Sequence, residues 1–235
     1  PPTYGMYGVS AEINDVACKE VPLTEDFQLQ ADKVIAAMDN HTKLTWICSP
    51  NNPSGNSYDR ESIRKVIVAA KGIVVIDEAY IDFSTEKSWL YELEKYPNLV
   101  VLQTFSKAWG LANRRLGMMF ASKEIIAVIN KIKLPYNMNG MMQKYACEIL
   151  SKYASQKDDY VEEILAERKK LIPELEKIPT VQKIYPSDAN FLLVKINNAH
   201  EVYKSLVQQG IIVRDRTKVF LCQDCLRITV GTAKE

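Results

Sequence analysis

The sequence predicts an α/β protein with a mainly parallel sheet, followed by a smaller α+β unit. Two observations lead there. Between Leu29 and Ile132 short apolar runs alternate with longer stretches of helical period, the pattern of strands and crossover helices. After Pro179 the texture changes to strand, strand, helix, strand, strand, an order that belongs to a separate α+β unit. We expect a boundary near Ala154, giving units at 1–154 and 155–235 with a long helix as connector.

Each element has its own reason. Leu29, Val34, Ala37 and Met38 lie on one helical face, so Leu29–Met38 reads as an amphipathic helix. Leu44–Cys48 is a short apolar run that ends in Ser49-Pro50-Asn51-Asn52-Pro53-Ser54-Gly55, a dense loop signal. Ser62–Ala70 has helical period, and Gly72 is placed to stop it. Strands are expected at Ile73–Ile76, Leu99–Thr104 and Leu116–Ala121, the last followed by a helix to about Ile132. Helical period returns over Asn139–Tyr153 and Asp158–Lys177, the second interrupted by Pro173. Strands at Val181–Tyr185 and Phe191–Ile196, a helix at His200–Gln209, and strands near Ile211 and Leu226 complete the chain.

Composition narrows the function classes. The 235 residues are enough to bury a core. Net charge is +1, from 30 basic and 29 acidic residues spread along the chain, so nothing favours nucleic acid or an anionic membrane surface. No apolar run approaches the roughly 20 residues that span a bilayer. Five cysteines, an odd number, in a chain of this size read as reduced thiols of a cytoplasmic protein. Cys222 and Cys225 form a lone C-x-x-C with no second pair, and His41 and His200 are the only histidines. We therefore expect no metal site there, but a strand entering a core. The chain opens Pro1-Pro2-Thr3 without an initiator Met and stops soon after an apolar strand, so we expect a piece of a longer protein.

Three loops that follow predicted strands carry unusual polar residues: Asn52, Asp77 with Tyr80, and Ser106 with Lys107. In open α/β sheets, ligands bind beyond the carboxyl ends of the strands, so these loops converge on one place. Taken singly, each residue has a plainer reading. Asp77-Glu78 is a solvated strand end, Tyr80 half-buried packing, Lys107 a surface lysine, Asn52 a turn residue before proline, and Arg115 an ion-pair partner. Taken together they suit one chemistry. A lysine that forms an imine needs a lowered pKa. A carboxylate beside a pyridine nitrogen keeps that nitrogen protonated, so the ring accepts electrons. A phenol and an amide suit a ring oxygen, and serine with arginine suits a phosphate.

The segments Ser49-Pro50-Asn51-Asn52-Pro53-Ser54-Gly55, Val75-Ile76-Asp77-Glu78-Ala79-Tyr80, Thr104-Phe105-Ser106-Lys107-Ala108 and Arg115-Leu116-Gly117 resemble the fold-type I, class I/II aminotransferases in order and spacing. Pro1 to Tyr7, Arg214-Asp215-Arg216 and Cys225 to Gly231 are similar to the histidinol-phosphate branch of that family, and the similarity runs essentially end to end. The resemblance implies an aspartate aminotransferase-like fold and pyridoxal 5′-phosphate as cofactor. It implies Lys107 as the Schiff-base lysine that also moves the substrate proton, and Asp77 at the pyridine nitrogen. Tyr80 and Asn52 then contact the ring oxygen, Ser106 and Arg115 hold the cofactor phosphate, and Tyr4 stacks on the ring. Arg227 is implied at the carboxylate of the amino-acid co-substrate and Arg214 at the substrate phosphate. The implied reaction moves an amino group between glutamate/2-oxoglutarate and histidinol phosphate/imidazole-acetol phosphate, in histidine biosynthesis, by a homodimer.

Family members carry a further N-terminal stretch, with a phosphate-binding loop at a helix start and a tyrosine that reaches the neighbouring subunit. Residues 1–235 alone are therefore expected to bind the cofactor poorly and transaminate slowly or not at all. Other readings remain at this point. They are another enzyme of the fold, such as an aromatic amino acid aminotransferase or a threonine-phosphate decarboxylase, an effector-binding domain of a regulator, and an inactive binding module.

Overall fold

The computed structural model describes residues 1–234. Two four-stranded sheets organise it. In the first, β1 (Leu44–Cys48), β2 (Ile73–Asp77) and β3 (Leu99–Thr104) run parallel, and β4 (Gly117–Ala121) closes the sheet antiparallel to β3. The order β1-β2-β3-β4 follows the chain. β2 is the buried centre: Val74, Val75 and Ile76 are all inside, as an apolar run covered on both faces should be.

Before β1 lie α1 (Met6–Ile13) and α2 (Ala31–Ala37), and α3 (Arg60–Ala69) crosses from β1 to β2. Asp59 starts α3 by accepting from the Ser62 amide at 2.7 Å, an ordinary N-cap. Ile63, Val66 and Ile67 fall on one face and are buried in the core that contains Val74, Ile76, Leu99 and Val101, each contributing about 2 kcal/mol of apolar burial. The helix does not end on a left-handed glycine at Gly72, as the sequence suggested. Ala70 turns extended, and the Asn98 side chain donates to the Ile67, Ala70 and Gly72 carbonyls at 3.0, 3.3 and 3.3 Å. Gly72 matters for another reason: a Cβ there would meet the Lys43 carbonyl oxygen at 2.4 Å.

From β2 to β3 the chain uses two short 3-10 helices, Ile81–Phe83 and Trp89–Lys95. After β4 come α4 (Lys123–Ile132), α5 (Gly140–Lys152) and α6 (Ala154–Glu176). Pro173 was expected to interrupt α6, yet the helix continues to Glu176. The proline stands in the last turn, where little of the helix lies beyond the lost bond.

The second sheet, β5 (Val181–Ile184), β6 (Phe191–Ile196), β7 (Arg214–Asp215) and β8 (Cys225–Thr229), is antiparallel in the order β5-β6-β8-β7, with α7 (Ala199–Gln208) between β6 and β7. The strand expected near Ile211 begins only at Arg214; Ile211 and Ile212 lie exposed outside it. Side chains on β6 alternate as a pleat requires. Leu192 and Val194 join a core with Ala199 and Leu226, while Leu193, with Cys222 and Cys225, packs into the core of the first sheet. Among the described residues no helix is long and apolar enough to cross a membrane.

The sequence reading assigned no element to α1, which contributes no buried residue; Met6, Val9 and Ile13 on it are exposed. Tertiary bonds hold its start: the Asn51 amide donates to the Pro2 carbonyl at 3.0 Å, and Thr3 Oγ1 donates to Asn51 Oδ1 at 2.9 Å.

Candidate active site

The loop after β1 carries Asn52. Its shape depends on Asn51, which is fully buried and whose Nδ2 also donates to Ser54 Oγ at 2.7 Å. Gly55 sits at φ +88°, and a Cβ there would press on Ser187 Oγ at 2.7 Å. That close approach lets the Gly55 carbonyl accept from the Asp188 amide at 2.7 Å, while Asp188 Oδ2 accepts from the Ser57 amide at 2.9 Å. The loop is thereby bonded to the chain leading into β6.

Asp77 ends β2. One carboxylate oxygen accepts from the Ala79 amide at 3.0 Å, the other from the Tyr7 hydroxyl at 2.5 Å. The neighbouring Glu78 is not a solvated strand end: it is 1% exposed. It accepts from Ser88 Oγ at 2.6 Å, the Trp89 amide at 2.7 Å and Gln103 Nε2 at 3.0 Å. Burial pushes its carboxyl up, against the pull of those bonds. Glu78 thus ties the end of β2 to β3, the strand that leads to Lys107.

The Lys107 amine lies 5.2 Å from the centre of the Tyr80 ring. Burial lowers its pKa from the ordinary lysine value; Arg227 and Arg115 lower it further, and Asp77 works the other way. The Tyr80 side chain is buried and its phenol is pushed up to about 12, chiefly by burial. Its ring meets Phe191 edge-on at 5.2 Å, and the Arg227 guanidinium lies 4.8 Å from the centre of the same Phe191 ring. Arg227 Nη1 donates to Asn52 Oδ1 at 2.8 Å, across 175 residues of sequence.

The remaining candidates sit nearer the rim. Tyr4 is 46% exposed and meets Tyr7 edge-on at 5.6 Å. Arg115 is exposed, adopts φ +52°, and donates one N–H to the Ala112 carbonyl at 3.0 Å. Ser106 is half-buried, with its amide bonded to Thr104 Oγ1 at 3.0 Å. Arg214 is exposed on β7, directly opposite Arg227 on β8. Arg227 is itself lowered by burial and by Arg216 and Arg214, with Tyr80 opposing. The structure therefore brings Asn52, Asp77, Tyr80, Lys107 and Arg227 into one cluster and sets Tyr4, Ser106, Arg115 and Arg214 around it.

Sequence reasoning missed Tyr7, Asn51 and Phe191. Tyr7 had only a weak signal, a second aromatic close behind Tyr4 in the opening segment. Asn51 and Phe191 had none, since their roles depend on partners distant in the chain.

These residues fit an anionic aromatic cofactor and a carboxylate substrate. Lys107 offers an amine whose pKa is lowered by burial, Asp77 an acceptor, and Tyr80 a neutral phenol. Arg227 Nε is buried without a hydrogen-bond partner among the described residues, an N–H that calls for an acceptor. Carboxylates meet arginine by parallel bonds from two such nitrogens.

The aminotransferase class I and II family model matches residues 1–235. The chain is 55% identical over 234 residues to a histidinol-phosphate aminotransferase of Parabacteroides distasonis, covering all of this chain and 68% of that protein. It is 53% identical over 235 residues to one of Cytophaga hutchinsonii, covering all of this chain and 67% of that protein. The crystal structure of the histidinol-phosphate aminotransferase from Clostridium acetobutylicum is similar at a TM-score of 0.92 and 27% identity, over 99% of this chain and 72% of that one.

Proposed function

The chain belongs to the class I and II aminotransferase family, and we propose that it transfers an amino group between glutamate/2-oxoglutarate and histidinol phosphate/imidazole-acetol phosphate, with pyridoxal 5′-phosphate as cofactor. This is a step of histidine biosynthesis. The observation that carries the reading is the cluster itself: Lys107, Asp77, Tyr80, Asn52 and Arg227 come from separate segments and share one neighbourhood.

When bound, the cofactor supplies an aldehyde that takes up the amino group and a protonated ring that accepts the electrons of the broken Cα–H bond. Lys107 is the nucleophile toward that aldehyde, and its lowered pKa raises the share of amine with a free lone pair. The same amine then carries the proton between the substrate Cα and the cofactor carbon. Asp77 holds a proton on the ring nitrogen through whichever lone pair Ala79 and Tyr7 leave open. Tyr80 and Asn52 would contact the ring oxygen, Ser106 and Arg115 would hold the cofactor phosphate, and Tyr4 would stack on the ring. Arg227 pairs with the carboxylate of the amino-acid substrate, and Arg214 with the substrate phosphate.

The same proposal includes a division into units at 1–154 and 155–235, supported by the change of sequence texture after Pro179. It includes a cytoplasmic setting, supported by the five cysteines read as reduced thiols, and a homodimer, supported by the family resemblance. The test is a substrate panel on the full-length protein. Formation of 2-oxoglutarate from glutamate with imidazole-acetol phosphate is the expected result. Carbon dioxide release from threonine phosphate without amino transfer would overturn it.

A further inference from the structure

Tyr7 has no part in the roles assigned above, yet it is tightly placed. Its hydroxyl donates to Asp77 Oδ2 at 2.5 Å. Its ring stacks on Trp46 of β1 at 5.0 Å between centres, with the planes inclined by 24°. Its other side meets Tyr4 edge-on at 5.6 Å. The helix that carries it is bonded through Pro2 and Thr3 to the buried Asn51. Platform, edge contact and anchored backbone hold the ring from which the hydroxyl reaches the carboxylate.

We propose that Tyr7 is a positioning residue for Asp77. Its hydroxyl occupies one carboxylate oxygen, as the Ala79 amide does the other, and so fixes the plane in which Asp77 meets the cofactor's ring nitrogen. The inference rests on the function proposed above and deepens it.

The physical argument has two parts. A hydrogen bond donated to a carboxylate stabilises its ionised form, so the proton shared between Asp77 and the ring nitrogen stays on the ring. That is where an electron-accepting ring requires it. The donor must also remain a donor. Burial, together with the nearby Cys48 and Asp77, pushes the Tyr7 phenol far above its ordinary value, so it keeps its proton across the working pH range. The turn that opens α1 then sets two features at once, because the Tyr7 amide donates to the Tyr4 carbonyl at 3.2 Å and the two rings meet. Tyr4 addresses the ring face and Tyr7 addresses the carboxylate under the ring nitrogen.

The experiment uses full-length protein loaded with cofactor labelled with ¹⁵N at the ring, compared with Tyr7→Phe, which keeps the stack on Trp46 and deletes only the hydroxyl. We expect the ¹⁵N shift to move from the protonated toward the neutral-ring value in Tyr7→Phe. With it, kcat should fall about tenfold while cofactor Kd stays within about twofold. Site-specific 3-fluorotyrosine at position 7 keeps the ring and strengthens the donor, and should hold the parental shift even if Tyr7→Phe is poorly folded. An unmoved ¹⁵N shift in folded Tyr7→Phe, or a fluorotyrosine protein that behaves like Tyr7→Phe, would overturn the proposal. Failure of the functional reading looks different: the parent shows no transfer from glutamate although its ring shift still responds to Tyr7→Phe.

Discussion

The parallel sheet delivers its functional groups from the ends and loops of its strands, whereas the antiparallel sheet delivers them from within its strands. Asn52, Asp77 and Lys107 follow or end β1, β2 and β3, while Arg214 and Arg227 lie inside β7 and β8. In the first sheet all three parallel strands point their carboxyl ends one way, so their loops must converge. Loops are soft, and here side-chain bonds from Asn51 and Glu78 hold them. In the second sheet the pleat does the aiming. Arg227 pairs with Leu193, which packs toward the first sheet, so the guanidinium projects to that side, where Asn52 Oδ1 accepts from it at 2.8 Å. Under the proposed roles the two sheets divide the labour: one carries the bond-making groups, the other the cations for substrate anions.

That contrast breaks most sharply at Lys107. In the full-length protein Lys107→Ala should lower kcat by about 10⁴-fold, and borohydride should no longer trap cofactor on the chain; a trapped adduct in the variant would move the nucleophile elsewhere. Asp77→Ala comes next, with kcat down by about 10³-fold and cofactor retention, followed by equilibrium dialysis, changed far less. Equal losses in both would make Asp77 a binding group only.

Substitutions in the second sheet should act on KM instead. Arg227→Gln is expected to raise KM for glutamate about 100-fold with a smaller change in kcat. It should also move the Lys107 titration in cofactor-free protein to higher pH, since Arg227 is one of the groups that lower that pKa. Competitive amine labelling at a series of pH values measures this. A drop in kcat with unchanged KM would erase the division between the sheets.

The smallest effect is expected at Asp215, which ties β7 to α7 by accepting from the Thr217 amide at 2.8 Å and pairing with His200 Nδ1 at 2.8 Å. Burial acts to raise this carboxyl, and the Thr217 and His200 bonds outweigh it, so its pKa lies below the ordinary value. A depressed carboxylate pKa contributes stability above the unfolded value, lost as pH falls through the folded one. His200 is half exposed, so Asp215→Asn should cost at most about 1 kcal/mol near neutrality. The cost should vanish in acid, as urea unfolding at several pH values would show.

Much of this architecture was legible beforehand. β1 and β3 fall on the predicted residues, and β2 and β4 within one residue of them, because a buried parallel strand must be a short apolar run and little else fits one. Asp77 and Lys107 stood out only as members of a set, because the loops after successive parallel strands lie at the same end of the sheet. The misreadings share a cause. Gly72 looked like a helix stop, but the stop is made by Asn98, 26 residues further on. Helix α1 was not read at all: it contributes no buried residue, and bonds from the distant Asn51 hold its start. Tyr7 and Phe191 gained their meaning from Asp77, Tyr80 and Arg227.

Periodicity and loop chemistry are local quantities, so the linear chain alone determined most strands and helices and supplied the candidate residues for imine chemistry. Which oxygen of Asp77 is taken, which ring lies between Tyr80 and Arg227, and which amide anchors the first helix were matters for the folded molecule. A hydrogen bond between residues 7 and 77, or 52 and 227, depends on distances that exist only after both sheets have packed.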